Sequence, residues 1–132
     1  MRVLETAIYA VNLTETAAFY DHVLGLERIV SVPERHVFFR MEGGVLLVFN
    51  PQSTVMPSND PKMPVPTHGG IGPGHVCFGA TADEIVSWER HLSDHLVEIE
   101  ADFTWPNGGR SIYFRDPAGN SIEFAEPRIW GM

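Results

Sequence analysis

Glu5, His36, Arg40, His75, Cys77, Ser111, Tyr113, Arg115, Ser121 and Glu123 recur at alternate positions of short apolar segments, interleaved with Ala7, Tyr9, Phe38, Val48 and Ala125. Carboxylates, imidazoles and hydroxyls are groups that move protons and grip polar ligands. Side chains two residues apart in a strand share one face. A face that mixes ionisable groups with small and aromatic residues has the composition of a small-molecule pocket. The complementary set, Leu4, Ile8, Val37, Phe39, Val45, Leu47, Phe49, Val76, Phe78, Ile112, Phe114, Ile122 and Phe124, is apolar and suits packing under helices.

The elements that must position these residues follow from pattern. Val3 to Val11 predicts a strand, and Asn12-Leu-Thr-Glu15 a capping box opening a helix that Gly25 stops. Leu13, Ala17, Tyr20 and Leu24 give that helix one apolar stripe. Strands are predicted at Glu27 to Val32, Arg35 to Met41 and Val45 to Asn50, with a turn at Glu42-Gly43-Gly44. The order then recurs. A strand from His75 to Thr81 precedes a helix opened by Thr81-Ala-Asp-Glu84, followed by strands at Val97 to Asp102, Arg110 to Arg115 and Asn120 to Ala125.

The chain is therefore a β-α-β-β-β unit written twice. Arg35 to Arg40 lies over Arg110 to Arg115, and Gly44 to Phe49 over Gly119 to Phe124, both at an offset of 75 residues. Glu5 over His75 and Ile29 over Ile99 give 70, so the second copy carries five extra residues near Phe103 to Gly109. This predicts one α+β domain over 1–132: module 1 at 1–50, a linker at 51–72, module 2 at 73–126 and a tail at 127–132. The Pro-, Ser- and Gly-rich linker shows no period and reads equally as a lid or a plain crossing segment. Gly69 to Gly74 lacks the spacing and the Lys-Ser/Thr ending of a phosphate loop.

Composition excludes some partners. A net charge of −8 and a pI near 5.1 argue against nucleic acid and anionic membrane surfaces. No apolar run reaches the ~20 residues of a membrane span, and Met1 to Tyr20 does not read as a secretory signal. Cys77 is the only cysteine, so no intrachain disulfide forms, and a reducing cytoplasm is the expected location.

Ala18-Phe-Tyr-x-x-Val-Leu-Gly-Leu26, Gly74-His-Val-Cys-Phe78 and Tyr113-Phe-x-Asp-Pro-x-Gly-Asn-x-Ile-Glu-Phe124, set in the doubled unit, resemble the vicinal oxygen chelate superfamily over nearly the whole chain. That group includes glyoxalase I, extradiol dioxygenases, methylmalonyl-CoA epimerase, fosfomycin-resistance transferases and metal-free bleomycin-binding proteins. The resemblance implies a cup-shaped mixed sheet with helices outside. It also implies one divalent metal (Mn, Fe, Zn, Ni or Co), a small-molecule substrate and a homodimer. Superfamily ligand positions fall on Glu5, Val48, His75 and Glu123. Val48 cannot bind metal, so the implied ligands are Glu5, His75 and Glu123, leaving positions open to water or substrate.

Two carboxylates and one imidazole depart from the two-His, one-carboxylate set of iron oxygenases. The expected chemistry is Lewis-acid catalysis on neighbouring oxygens, of the glyoxalase, isomerase or transferase kind. A catechol dioxygenase with Fe²⁺ and a non-enzymatic binding protein are the alternatives. Glu5 and Glu123 are the candidate catalytic residues, Glu5 being able to serve as ligand or as general base. Candidate substrate contacts are Tyr9, His36, Phe38, Arg40, Trp105, Arg110, Ser111, Tyr113 and Arg115. Their plainer readings are packing for the aromatics and solvation for the charges. His22, His91 and His95 read as solvated helix residues. His68 reaches a site only if the linker folds over it, and Cys77 reads as a small buried thiol.

Overall fold

The computed structural model describes residues 1–132. It divides into two compact units, Met1–Gly74 and His75–Met132, with the same internal plan. The first contains β1 (Glu5–Tyr9), α1 (Leu13–His22), β2 (Arg28–Val32), β3 (His36–Met41), β4 (Gly44–Phe49) and a short helix α2 (Pro51–Thr54). The second contains β5 (His75–Gly79), α3 (Ala82–Asp94), β6 (Ile99–Thr104), β7 (Arg110–Arg115), β8 (Ser121–Ala125) and a 3-10 turn at Pro127–Trp130. Each unit is a four-stranded mixed sheet, ordered β1-β4-β3-β2 or β5-β8-β7-β6, with one parallel pair at its edge. The α+β class and the repeated β-α-β-β-β order are as the sequence predicts.

In the first unit Tyr20 of α1 meets Phe39 at 5.6 Å between ring centroids, and Ile8, Phe39, Leu46 and Val48 are buried. In the second, Trp88 of α3 stacks on Phe124 at 4.5 Å over a core of Ile85, Leu92, Ile112, Phe114 and Ile122. Each fully buried side chain of this size contributes roughly 1.5–3 kcal/mol. The two helices begin differently. Thr81 accepts from the Glu84 amide while the Glu84 carboxylate accepts from the Thr81 amide, completing the expected capping box. Asn12 makes no such cap. Its backbone (φ −84°, ψ 61°) lies outside the extended region, and its side chain instead donates to the Glu15 carboxylate.

Register corrects the assignment of β4. Phe38 stands opposite Leu47 and Tyr113 opposite Glu123, so with Phe38 over Tyr113 the counterpart of Glu123 is Leu47, not Val48. The β7–β8 connection is longer than the two-residue β3–β4 turn, and the gapless match across it is displaced by one. Val48 lies under α1 with no exposure, while Val45, Leu47 and Phe49 share the opposite face with His36 and Phe38. The run Gly-Val-Leu-Leu-Val-Phe is apolar throughout. It carries no alternation from which a face can be read, and a slip of one residue inverts every side chain.

Two further expectations change. The linker is not devoid of elements, because Asn50 caps α2 through the Gln52 amide, and residues 51–72 belong wholly to the first unit. The five extra residues of the second copy also lengthen a strand. β6 runs to Thr104, and Trp105–Gly109 form the turn, closed by the Trp105 amide on the Gly109 carbonyl at 2.7 Å. No helix is long and apolar enough to cross a membrane.

Candidate functional site

On the face of the second sheet opposite α3, β5 and β8 place His75, Cys77, Ser121 and Glu123 side by side, and β7 adds Ser111 and Tyr113. His75 Nδ1 lies 3.1 Å from the Ser121 carbonyl oxygen. A carbonyl only accepts, so Nδ1 carries the proton and donates. The other ring nitrogen, Nε2, faces Glu123 Oε2 at 3.3 Å. A ring nitrogen and a carboxylate oxygen at this distance share a cation, either a proton carried on Nε2 or a metal. A histidine whose second nitrogen is held by a carbonyl is the usual support of a metal-ligating imidazole.

Glu123 is 5% exposed. Its Oε1 accepts from the Tyr113 hydroxyl at 2.7 Å, which leaves Oε2 for the His75 side. Burial, and then the neighbouring Glu123 charge and hydrogen bond, push the Tyr113 phenol up to about 12, so it stays a donor at neutral pH. Cys77 is exposed, not the buried thiol expected, but the packing around its sulfur, followed by Glu123, pushes the thiol up to about 12, which leaves it no thiolate for nucleophilic work.

An aromatic row continues from this pair. Phe103 stacks on Tyr113 with ring centroids 5.9 Å apart and planes within 5°, Trp105 meets Phe103 edge-on at 4.9 Å, and Trp105 Nε1 donates to Ser111 Oγ at 2.8 Å. Phe103 escaped the sequence analysis, which put it in a loop. The alternation Ala101, Phe103, Trp105 was the available signal.

The first unit gathers a different set. Tyr9, His36, Phe38 and Phe49 form one aromatic cluster on its sheet, and the linker folds back so that His68 Nδ1 meets the Tyr9 hydroxyl at 2.9 Å. His68 is thus part of this face, contrary to expectation. Nothing local in the sequence announces the fold-back. Glu5 is exposed at the start of β1 in this unit.

The three arginines expected to contact substrate are engaged in ion pairs. Arg40 pairs with Glu27 at 2.7 Å and Arg115 with Glu100 at 2.8 Å. Arg110 lies on the opposite face from Tyr113, held by Asp102 at 2.7 Å and by Glu89 of α3 at 2.9 Å, which raises its already high pKa. No group of three or more His, Cys, Asp or Glu side chains is assembled as a ready metal cage. His75 and Glu123 nevertheless fit a divalent metal in donor type and in their proximity, Nε2 and Oε2 being 3.3 Å apart.

The profile of the Glyoxalase/Bleomycin resistance protein/Dioxygenase superfamily matches residues 2–124. The chain belongs to this superfamily. A crystal structure of lactoylglutathione lyase from Agrobacterium tumefaciens is 40% identical and superposes with a TM-score of 0.93, covering 99% of this chain and 97% of that one. The superfamily protein from Nocardioides is 20% identical (TM-score 0.73, 96% and 83% covered). The fosfomycin resistance protein FosX from Listeria monocytogenes is also 20% identical (TM-score 0.68, 96% and 93% covered). These two likenesses speak for the fold alone. Among curated proteins none matches. Members of the superfamily generally use a divalent metal and bind small molecules, and some are not enzymes.

Proposed function

We propose that this chain is a divalent-metal-dependent enzyme that acts on a small molecule with oxygens on neighbouring carbons, by redox-neutral Lewis-acid chemistry. The observation that carries the reading is the His75–Glu123 pair, in which an imidazole held at Nδ1 by the Ser121 carbonyl turns its Nε2 to a buried carboxylate at 3.3 Å. His75 and Glu123 would hold the metal, and Glu5 on β1 is the third ligand on the family correspondence alone. The bound metal would polarise the substrate oxygens and stabilise an anion formed on them. Tyr113 keeps Glu123 oriented through its one hydroxyl proton, and Phe103 and Trp105 give the substrate an apolar wall.

The 40% identical relative bears the name lactoylglutathione lyase. Lactoylglutathione is a thioester with carbonyl and hydroxyl oxygens on adjacent carbons, so its interconversion with the isomeric hemithioacetal is the first reaction to assay. Elemental analysis after desalting should find about one Mn, Fe, Co, Ni or Zn per chain, lost in His75→Ala and Glu123→Ala and reduced in Glu5→Ala. Wild type that retains none of the five metals overturns the reading. Oxygen uptake with catechols, lost in the same variants, would instead make it a dioxygenase. The expected state is a homodimer, checked by equilibrium sedimentation, with a monomer at micromolar concentration as the contrary result.

A further inference from the structure

The linker roofs a cavity of about 870 Å³ on the first unit's sheet. Its floor is the His36–Phe38 stack, ring centroids 4.3 Å apart and planes within 12°, with Phe49 edge-on to both at 5.7 and 5.3 Å. Met56 and Met63 line the linker side, and methionine adapts to irregular apolar shapes. Arg35 lines the cavity too. Unlike Arg28, Arg40, Arg110, Arg115 and Arg128, it has no carboxylate partner, and its guanidinium makes a long 3.3 Å hydrogen bond to the Ser53 carbonyl. Asp60 borders the same space but forms no ion pair with Arg35, its Oδ1 accepting from the Lys62 amide instead.

We infer that this cavity is a binding site for a flat aromatic carboxylate, whose ring packs against the edges of the stacked His36 and Phe38 rings and whose anion meets Arg35. A planar guanidinium grips a carboxylate through two parallel hydrogen bonds, and the face of an aromatic ligand is what the positive edges of a stacked ring pair attract. His36 suits this role. Its Nδ1 is buried without a partner, and burial, then the Arg35 charge, lower its pKa, so the floor under the ligand is an uncharged ring. The volume is that of a site for a bicyclic or larger molecule rather than a single small ring. The net charge of −8 opposes an anion at long range, but that field is screened beyond ~8 Å at physiological ionic strength, whereas the Arg35 contact is direct.

The site lies wholly within the first unit and does not depend on metal at His75. The test is calorimetric titration of naphthoate, and of naphthalenemethanol as its uncharged counterpart, into wild type and into His75→Ala in the presence of a chelator. Naphthoate should bind both proteins alike at one site and at least about tenfold more tightly than the alcohol. Arg35→Gln should abolish that preference without weakening the alcohol. Phe38→Leu should weaken both, and Met63→Ala, an exposed position on the roof, supplies the same readout if Phe38→Leu fails to fold. Naphthoate that binds no better than the alcohol, or equally well to Arg35→Gln, overturns the inference. Loss of binding in His75→Ala alone would also overturn it, by moving the ligand to the metal pair.

Discussion

Glu123 spends its two oxygens on two different neighbours, and Tyr113 decides which is which. With the phenol donating to Oε1 at 2.7 Å, Oε2 is left for the His75 side. Removing a hydrogen bond that orients a ligand typically costs 10- to 100-fold in metal affinity, so Tyr113→Phe should bind metal about that much more weakly while keeping its fold, as read by a competitive chelator titration. Unchanged affinity would reduce Tyr113 to packing. The Ser121 carbonyl that fixes His75 belongs to the backbone and cannot be deleted by substitution, which leaves Tyr113 as the accessible probe of this arrangement.

The two long helices occupy equivalent places in their units but start by different means. Thr81 makes a reciprocal cap with Glu84, and Asn12 makes none with the amides of its helix. Loss of a cap costs about 1 kcal/mol, so Thr81→Ala should lower the urea midpoint by that equivalent. Asn12→Ala should cost less than half as much, because the contacts it loses include an exposed 3.2 Å pair with Glu15 and a long 3.4 Å hydrogen bond from the Thr16 hydroxyl, and neither caps a helix amide. Equal losses would mean that the Asn12 side chain caps in solution. Strands show a similar contrast, since β6 reaches two residues further toward its turn than the pattern suggested and thereby brings Phe103 beside Tyr113.

Each unit of the molecule has its own core, centred on Phe39 in the first and Phe114 in the second, both without exposure. Truncating a buried phenylalanine costs about 3–5 kcal/mol. Phe39→Ala and Phe114→Ala should each lower stability by that amount in denaturant melts. Hydrogen exchange should show whether the loss is shared. If the units fold as one cooperative body, each variant accelerates exchange in both sheets, and if they are separate foldons, only in its own. A loss under about 1 kcal/mol for either would contradict the packing described.

The sequence by itself determined the repeat, the order of its elements and the residues of the His75–Glu123 face, because alternating strands and a Thr-x-x-Glu cap state their geometry in local chemistry. His36, Phe38, Ser111 and Tyr113 fell on the faces their alternation predicted. Only the tertiary structure decided the face of β4, since six consecutive apolar or small residues have no period and hairpin length sets their register. It alone brought His68 to Tyr9, a contact across 59 residues of chain. It alone turned Arg110 away from the pocket, because an arginine beside Ser111 and Tyr113 in sequence reaches the opposite face one residue earlier, where Glu89 and Asp102 hold it. Local pattern fixes what a strand presents, and long-range pairing fixes to whom.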